Sequence, residues 1–212
     1  MITRTDIINY LIWKRGYRSY LEIGLDDPEL NFTRVQCEKK ESVDPYDPSS
    51  NFCAAWTQAD LNRFLPYLTY RMTSDDFFAA YPAKKYDVIF IDGLHLESQA
   101  DRDIRNSLMH LNEGGVVVVH DCLPDSEASQ SEDHPGGSWV GTVWKSMVKY
   151  TKYTHCDVKV LETDWGVGVI EYTDNLDFQI PEKLDLTYEE FNKKKYGFLR
   201  IYTDKLHMVF HS

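Results

Sequence analysis

Apolar positions along this chain fall into short blocks separated by polar turns, and the spacing within each block predicts its element. Between Thr5 and Arg15, the residues Ile7, Ile8, Leu11 and Ile12 recur at helical spacing and predict a helix within residues 1–17. Arg18–Gly24 (RSYLEIG) is a short apolar run closed by glycine and reads as a buried strand. Lys39–Pro45 (KKESVDP) reads as a second strand ending at Asp44, after which Pro45 and Pro48 force a loop. Thr57–Leu68 has helical spacing, with Pro66 limiting its end, and Tyr70–Ser74 reads as a short strand. Ser74 is then placed to cap a helix that opens with Asp75, Asp76 and Phe77.

The strongest strand is Tyr86–Gly93 (YDVIFIDG), whose four consecutive apolar residues suit a strand covered on both faces. Leu94–Leu111 reads as a helix with Ile104, Leu108 and Leu111 on one face, Glu113-Gly114-Gly115 as a turn, and Val116–His120 as another strand covered on both sides. The polar stretch Leu123–Gly141 is long for a loop without elements of its own and is read as lid-like. Val143–Tyr150 returns to helical spacing. Val158–Leu161 and Val167–Tyr172, joined by Glu162–Gly166, are close enough to form an antiparallel hairpin. Thr187-Tyr188-Glu189-Glu190 fits a capping box and opens a C-terminal helical tail over 185–212.

Strands alternating with helices predict an α/β fold, a doubly wound and mostly parallel sheet with helices on both faces and an antiparallel hairpin at its end. The whole chain, 1–212, reads as a single domain, as its length allows. In an open sheet of this kind, ligands bind where the strands end. The strand ends here are Glu22 and Gly24, Asp44, Ser74 and Asp75, Asp92 and Gly93, and His120 and Asp121, nearly all of them polar or glycine.

Charge narrows the partners. Twenty-three basic residues against 34 acidic ones give a net charge of −11. A surface so acidic is a poor default partner for nucleic acid or for an anionic membrane, both of which need surplus Lys and Arg. The four cysteines, Cys37, Cys53, Cys122 and Cys156, show no CxxC spacing and are expected to be reduced thiols. No stretch is long and apolar enough to span a membrane, and the N-terminal residues lack the pattern of a signal peptide. A cytoplasmic setting is expected.

The segments YLEIG, VDPY, MTSDDFF, YDVIFIDGLH, GGVVVVHDC and TDWGVGVI, in this order over residues 18–172, resemble a branch of the class I SAM-dependent methyltransferases. The resemblance implies a Rossmann-like sheet of seven strands, S-adenosyl-L-methionine as cofactor, and a small-molecule or saccharide hydroxyl as acceptor. It places Glu22 and Gly24 at the turn against the methionine part of the cofactor, Asp44 on the ribose hydroxyls, Ser74 and Asp75 at the adenine, and Asp92 beside the methyl donor. The first motif departs from the family pattern: Asp26 and Pro28 follow Glu22 and Gly24 where two further glycines are usual.

Asp92 closes one strand, with His95 three residues on at the mouth of the next helix, and His120 and Asp121 end the neighbouring strand, so two imidazoles and two carboxylates are expected to face one pocket as the catalytic group. A histidine there suits proton removal from a hydroxyl, because its pKa lies near neutrality. Asp92 and Asp121 with a divalent cation are a second mechanism, since related O-methyltransferases place acidic ligands at these strand ends. Trp139, Trp144 and Trp165 are candidates for an apolar or sugar-stacking wall, with Trp144 and Trp165 first read as core; His134 reads as a plain loop residue. Two other functions stay open: an NAD-type oxidoreductase, favoured by the twenty-residue spacing from Gly24 to Asp44, and a non-catalytic Rossmann-like binding protein, favoured by the altered glycine motif. The C-terminal helix is a candidate homodimer surface.

Overall fold

The computed structural model describes residues 2–47, 57–133, 139–172 and 183–203. In chain order the elements are α1 (Arg4–Arg15), β1 (Ser19–Ile23), β2 (Lys39–Asp44), α2 (Gln58–Phe64), β3 (Tyr70–Arg71), α3 (Ser74–Ala80), β4 (Tyr86–Ile91), α4 (Glu97–Met109), β5 (Leu111–Val119), α5 (Val143–Tyr150), β6 (Cys156–Leu161), β7 (Val167–Tyr172), α6 (Tyr188–Phe198) and β8 (Ile201–Tyr202). They build one sheet of order β3-β2-β1-β4-β5-β7-β6-β8. The strands from β3 to β5 pair in parallel, and β7 runs antiparallel to both β5 and β6.

The doubly wound sheet and its terminal hairpin therefore stand as the sequence predicts, with differences at the margins. The tail expected to be helical turns back after α6, and β8 adds an eighth strand parallel to β6. Glu162 N–H donates to the Tyr202 carbonyl there, and Val160 N–H to that of Arg200. The expected turn at Glu113–Gly115 is instead part of β5, which starts early at Leu111 opposite Tyr86. Ser74 does not cap α3. Strand β3 ends sooner than its apolar pattern suggests, and the Thr73 hydroxyl accepts the Asp76 N–H in its place.

Two apolar layers sandwich the sheet. On one face α1 contributes Ile7, Ile8, Leu11 and Ile12, which pack on Val88, Phe90, Val116 and Val118. On the other, Phe77, Ile104, Leu108, Trp144 and Met147 from α3, α4 and α5 pack on Ile89, Ile91, Val117 and Val119. The continuous apolar runs of β4 and β5 are explained by this: alternate residues serve opposite layers, and both layers are covered. Trp144 lies in this core, but Trp165, also first read as core, is about half exposed because it sits at the tip of the β6–β7 turn. Cys37, Cys122 and Cys156 are free thiols. Pro48, Cys53, His134 with Pro135–Gly137, and the last nine residues lie outside the described residues.

Candidate active site

The sheet order reverses beside β1, whose neighbours are β2 and β4, and there the register aligns the strand ends. Ile23 pairs with both Val43 and Ile91, and Ile91 with Val119. The residues one step further on therefore share a single rim: Gly24, Asp44, Asp92 and His120. Backbone bonds continue the ladder there, from Gly24 N–H to the Val43 carbonyl, Asp92 N–H to Ile23, and His120 N–H to Ile91. Such a reversal is where open α/β sheets bind ligands. Gly24 has φ +83°, and a Cβ there would lie 2.1 Å from the Asp92 carbonyl oxygen. Its glycine is demanded by the approach of β4 before any ligand is considered.

Four predicted catalytic residues meet at this rim. His120 Nδ1 lies 3.3 Å from Asp92 Oδ1 and 3.2 Å from Asp121 Oδ1. His95 Nε2 lies 3.5 Å from Asp92 Oδ1 and 3.2 Å from Asp121 Oδ2. Asp121 reaches the cluster through a left-handed backbone, φ +60°, which a short polar side chain tolerates. The end of the lid-like loop fixes His95. Its Nδ1 lies 3.2 Å from the Trp139 carbonyl and must donate to it, its ring stacks on Trp139 at 4.8 Å, and Thr142 N–H donates to its own carbonyl. Nε2 is thereby left as the nitrogen that faces the carboxylates.

Two residues that sequence reasoning missed complete the group. Arg4, at the start of α1, places Nη1 3.1 Å from His120 Nε2 and 3.3 Å from Asp164 Oδ1, with Nε 3.9 Å from Asp92 Oδ2. Arg4 Nε is buried without a hydrogen-bond partner among the described residues. Asp164, from the β6–β7 turn at φ +49°, also accepts the Arg4 backbone N–H. A guanidinium only donates, so its contact with His120 holds while Nε2 is unprotonated and opens when that atom takes a proton. The one local hint was the polar turn ETDWG between two apolar strands.

The electrostatics follow from this crowding. Burial alone would raise Asp92, but the hydrogen bonds and charges of His120 and His95 outweigh it and hold the carboxyl far below its usual range. Asp164 is likewise pushed down to about 2, burial being outweighed by His120 and Arg4. Burial lowers both histidines, yet the facing carboxylates win and raise His95 and, more strongly, His120.

The predicted cofactor residues divide. Asp44 Oδ2 accepts the Leu25 N–H at 3.0 Å and Oδ1 the Tyr46 N–H at 2.7 Å, so its carboxylate is fixed at the rim with a lone pair left on each oxygen. Glu22 is buried and turned inward: Oε2 accepts from Tyr20 Oη and, at 3.0 Å, from Asn31 Nδ2, whose amide is tied to Thr5 of α1. Burial pushes the Glu22 carboxyl up to about 8. The loop that lacks the expected glycines packs on α2 around a cavity of about 80 Å³ lined by Asp26, Asp27, Pro28 and Arg63 among others. Ser74 is buried and donates to Asp103 Oδ1 at 2.5 Å. Asp75 is not brought to the rim: it lies at the surface, 3.0 Å from Arg102 Nε of α4.

Asp92, His95 and Asp121 also offer one ligand atom each within 4.8 Å of one another. Two carboxylates and an imidazole whose other nitrogen is held by a carbonyl form a donor set of the kind that holds a divalent cation.

Residues 31–122 match a family model described as a methyltransferase domain. No curated protein matches the chain. Solved structures do. An O-methyltransferase from Bacillus cereus in complex with SAH is 15% identical, with 82% of this chain and 83% of that chain covered and a TM-score of 0.57. A putative caffeoyl-CoA O-methyltransferase from Staphylococcus aureus is 17% identical, with 81% and 85% covered and a TM-score of 0.58. The O-methyltransferase TomG from Streptomyces achromogenes, in complex with SAM, is 17% identical, with 79% and 78% covered and a TM-score of 0.55. Residues 31–122 thus resemble a methyltransferase domain by sequence, within a chain whose fold is that of these O-methyltransferases.

Proposed function

We propose that this chain transfers a methyl group from S-adenosyl-L-methionine to a hydroxyl of a small molecule or saccharide unit. The observation that carries the reading is the shared rim, where Asp44 stands beside Gly24 and the Asp92, His95, His120 and Asp121 cluster stands one strand further on. The cofactor lies across the ends of β1, β2 and β4, with its ribose diol on Asp44, its methionine part against Gly24 and Glu22, and its methyl group towards Asp92. An acceptor oxygen delivered to the cluster must lose its proton as the methyl group arrives. His95 suits this: Nδ1–H is committed to the Trp139 carbonyl, Nε2 receives the proton, and Asp92 and Asp121 stabilise the resulting imidazolium. His120, whose Nε2 faces Arg4, orients the same two carboxylates.

A second reading has Asp92, His95 and Asp121 hold a divalent cation, favoured by their convergence within 4.8 Å. Such an ion, when bound, lowers the pKa of a coordinated acceptor hydroxyl. The net charge of −11 supports a neutral or cationic acceptor over a polyanion, nucleic acid included. Among the described residues no helix is long and apolar enough to cross a membrane, and we read the protein as cytoplasmic. We take residues 1–212 as one methyltransferase unit, with 123–141 as its lid and the C-terminal helix as the surface through which a homodimer would form.

Calorimetric titration with S-adenosylhomocysteine tests the reading, with magnesium or EDTA present in parallel runs. Micromolar binding that Asp44→Ala weakens about 100-fold, with the thermal melt retained, is the expected result. Wild-type protein that binds no S-adenosylhomocysteine under any condition, or an Asp44→Ala variant that binds it unchanged, refutes the cofactor assignment.

A further inference from the structure

The two helices beside the cluster have one capping hydroxyl between them. Leu96 stands at the N-cap of α4 and offers its first turn no side-chain acceptor. Thr142 stands at the N-cap of α5, where a threonine hydroxyl usually accepts an N–H of its own helix, yet it makes no such bond. Its Oγ1 instead accepts, at 2.7 Å, the N–H of Glu97, the first residue of α4, and only 4% of Thr142 is exposed. The Thr142 N–H donates at 2.9 Å to the His95 carbonyl. One residue therefore holds both ends of the three-residue link His95–Glu97. Gly141 brings Thr142 this close: its φ is +58°, and a Cβ there would lie 1.9 Å from the same His95 carbonyl oxygen. The Ser129 carbonyl in turn accepts the Val140 and Gly141 N–H groups, at 2.9 and 3.0 Å, and fixes the approach.

We propose that Thr142 is a positioning residue for His95, acting as the cap of a helix it does not belong to. The inference rests on the reading of His95 as the group that takes the acceptor proton. His95 lies between β4 and α4 and belongs to neither, so its place depends on what grips the link. Thr142 takes its carbonyl, and Trp139, three residues earlier in the same segment, takes Nδ1 and stacks on the ring. Without the Thr142 hydroxyl the Glu97 N–H is left buried with no acceptor, which is costly, and the start of α4 loosens. The ring then loses the setting that puts Nε2 3.2 Å from Asp121 Oδ2 and 3.5 Å from Asp92 Oδ1. Thr142 precedes α5 in the chain, yet its hydroxyl serves a residue 45 positions away, and α5 starts without a side-chain cap.

The test is solution NMR on wild type, Thr142→Val and Thr142→Ser, with S-adenosylhomocysteine binding measured on the same samples. Two signals are read: the hydrogen-exchange rate of the Glu97 amide, and the cross-peak between the His95 and Trp139 rings, whose centroids lie 4.8 Å apart. His95→Asn assigns the ring signals by their loss. Thr142→Val keeps the shape and removes the acceptor. Exchange at Glu97 should quicken about 5- to 30-fold, the range of a lost cap, and the cross-peak should vanish. Thr142→Ser keeps the hydroxyl and should restore both signals. Ser146→Ala removes a neighbouring tie, from Ser146 Oγ to the Glu97 carbonyl at 3.1 Å, and should leave the cross-peak in place. A cross-peak that persists in Thr142→Val, or that Ser146→Ala also abolishes, reduces Thr142 to ordinary packing and overturns the inference. So does a cross-peak that Thr142→Ser fails to restore. Thr142→Ala takes the place of Thr142→Val should the latter not fold. Wild-type protein that shows the cross-peak but binds no S-adenosylhomocysteine refutes the cofactor reading alone, and one that binds the ligand without the cross-peak refutes the inference alone.

Discussion

Glu22, two residues before the rim glycine Gly24 and turned inward from it, is held in a state that folding itself imposes, and replacing it isolates that effect. Its carboxyl is 4% exposed and accepts two hydrogen bonds, yet burial, reinforced by the charge of Asp92, lifts its pKa from 4.5 to about 8. A folded-state pKa above the unfolded one means that the native protein keeps a proton the unfolded chain has lost. Stability therefore falls as pH rises through the window from 4.5 to about 8, and the loss is complete above it. Glu22→Gln keeps the shape and the acceptor oxygen for Tyr20 and Asn31 but cannot ionise. At about 1.4 kcal/mol per pKa unit, the variant should gain about 4 kcal/mol on wild type between about pH 5 and about pH 9. Urea unfolding of both proteins across that range measures the gap. Parallel stability curves would refute the reasoning, and a gap that opened towards acid would reverse its sign.

Two further outcomes follow from contacts described above or beside them. Lys149 of α5 is buried between Glu97, 2.7 Å away, and Asp101 of α4, while Glu97 also accepts the Leu184 N–H of the C-terminal segment. Lys149→Met leaves two buried carboxylates unpaired and should lower stability at neutral pH by about 3–5 kcal/mol in urea unfolding, with a smaller loss in acid; a loss under about 1 kcal/mol would refute it. Gly24→Ala puts a Cβ 2.1 Å from the Asp92 carbonyl at φ +83° and should cost about 2 kcal/mol or more while abolishing S-adenosylhomocysteine binding; a thermal melt and affinity like wild type would show that the β1–β4 rim gives way easily.

Much of this protein was written locally in its chain. The unbroken apolar run of β4 required two covering layers, the helical spacing of Ile7, Ile8, Leu11 and Ile12 required one of them, and the close-set pair β6 and β7 required a hairpin. Periodicity acts over a few residues, so a reader of the sequence sees it directly. The polar strand ends Asp44, Asp92, His120 and Asp121 were legible for the same reason, because a charge that terminates a buried strand stands out against it. What the sequence could not decide was which side chains turn inward and which distant ones meet. Arg4 and Asp164 are 160 positions apart, and only the packing of α1 beside the β6–β7 turn makes them one ion pair. Asp75 is placed at the adenine by the resemblance, yet the fold turns it to Arg102 at the surface, while α4 packing against α3 buries Asp103 beside Ser74. Burial and partner choice are sums over the whole fold, and it is these sums that set the charge of Glu22, the orientation of His95 and the chemistry of the rim.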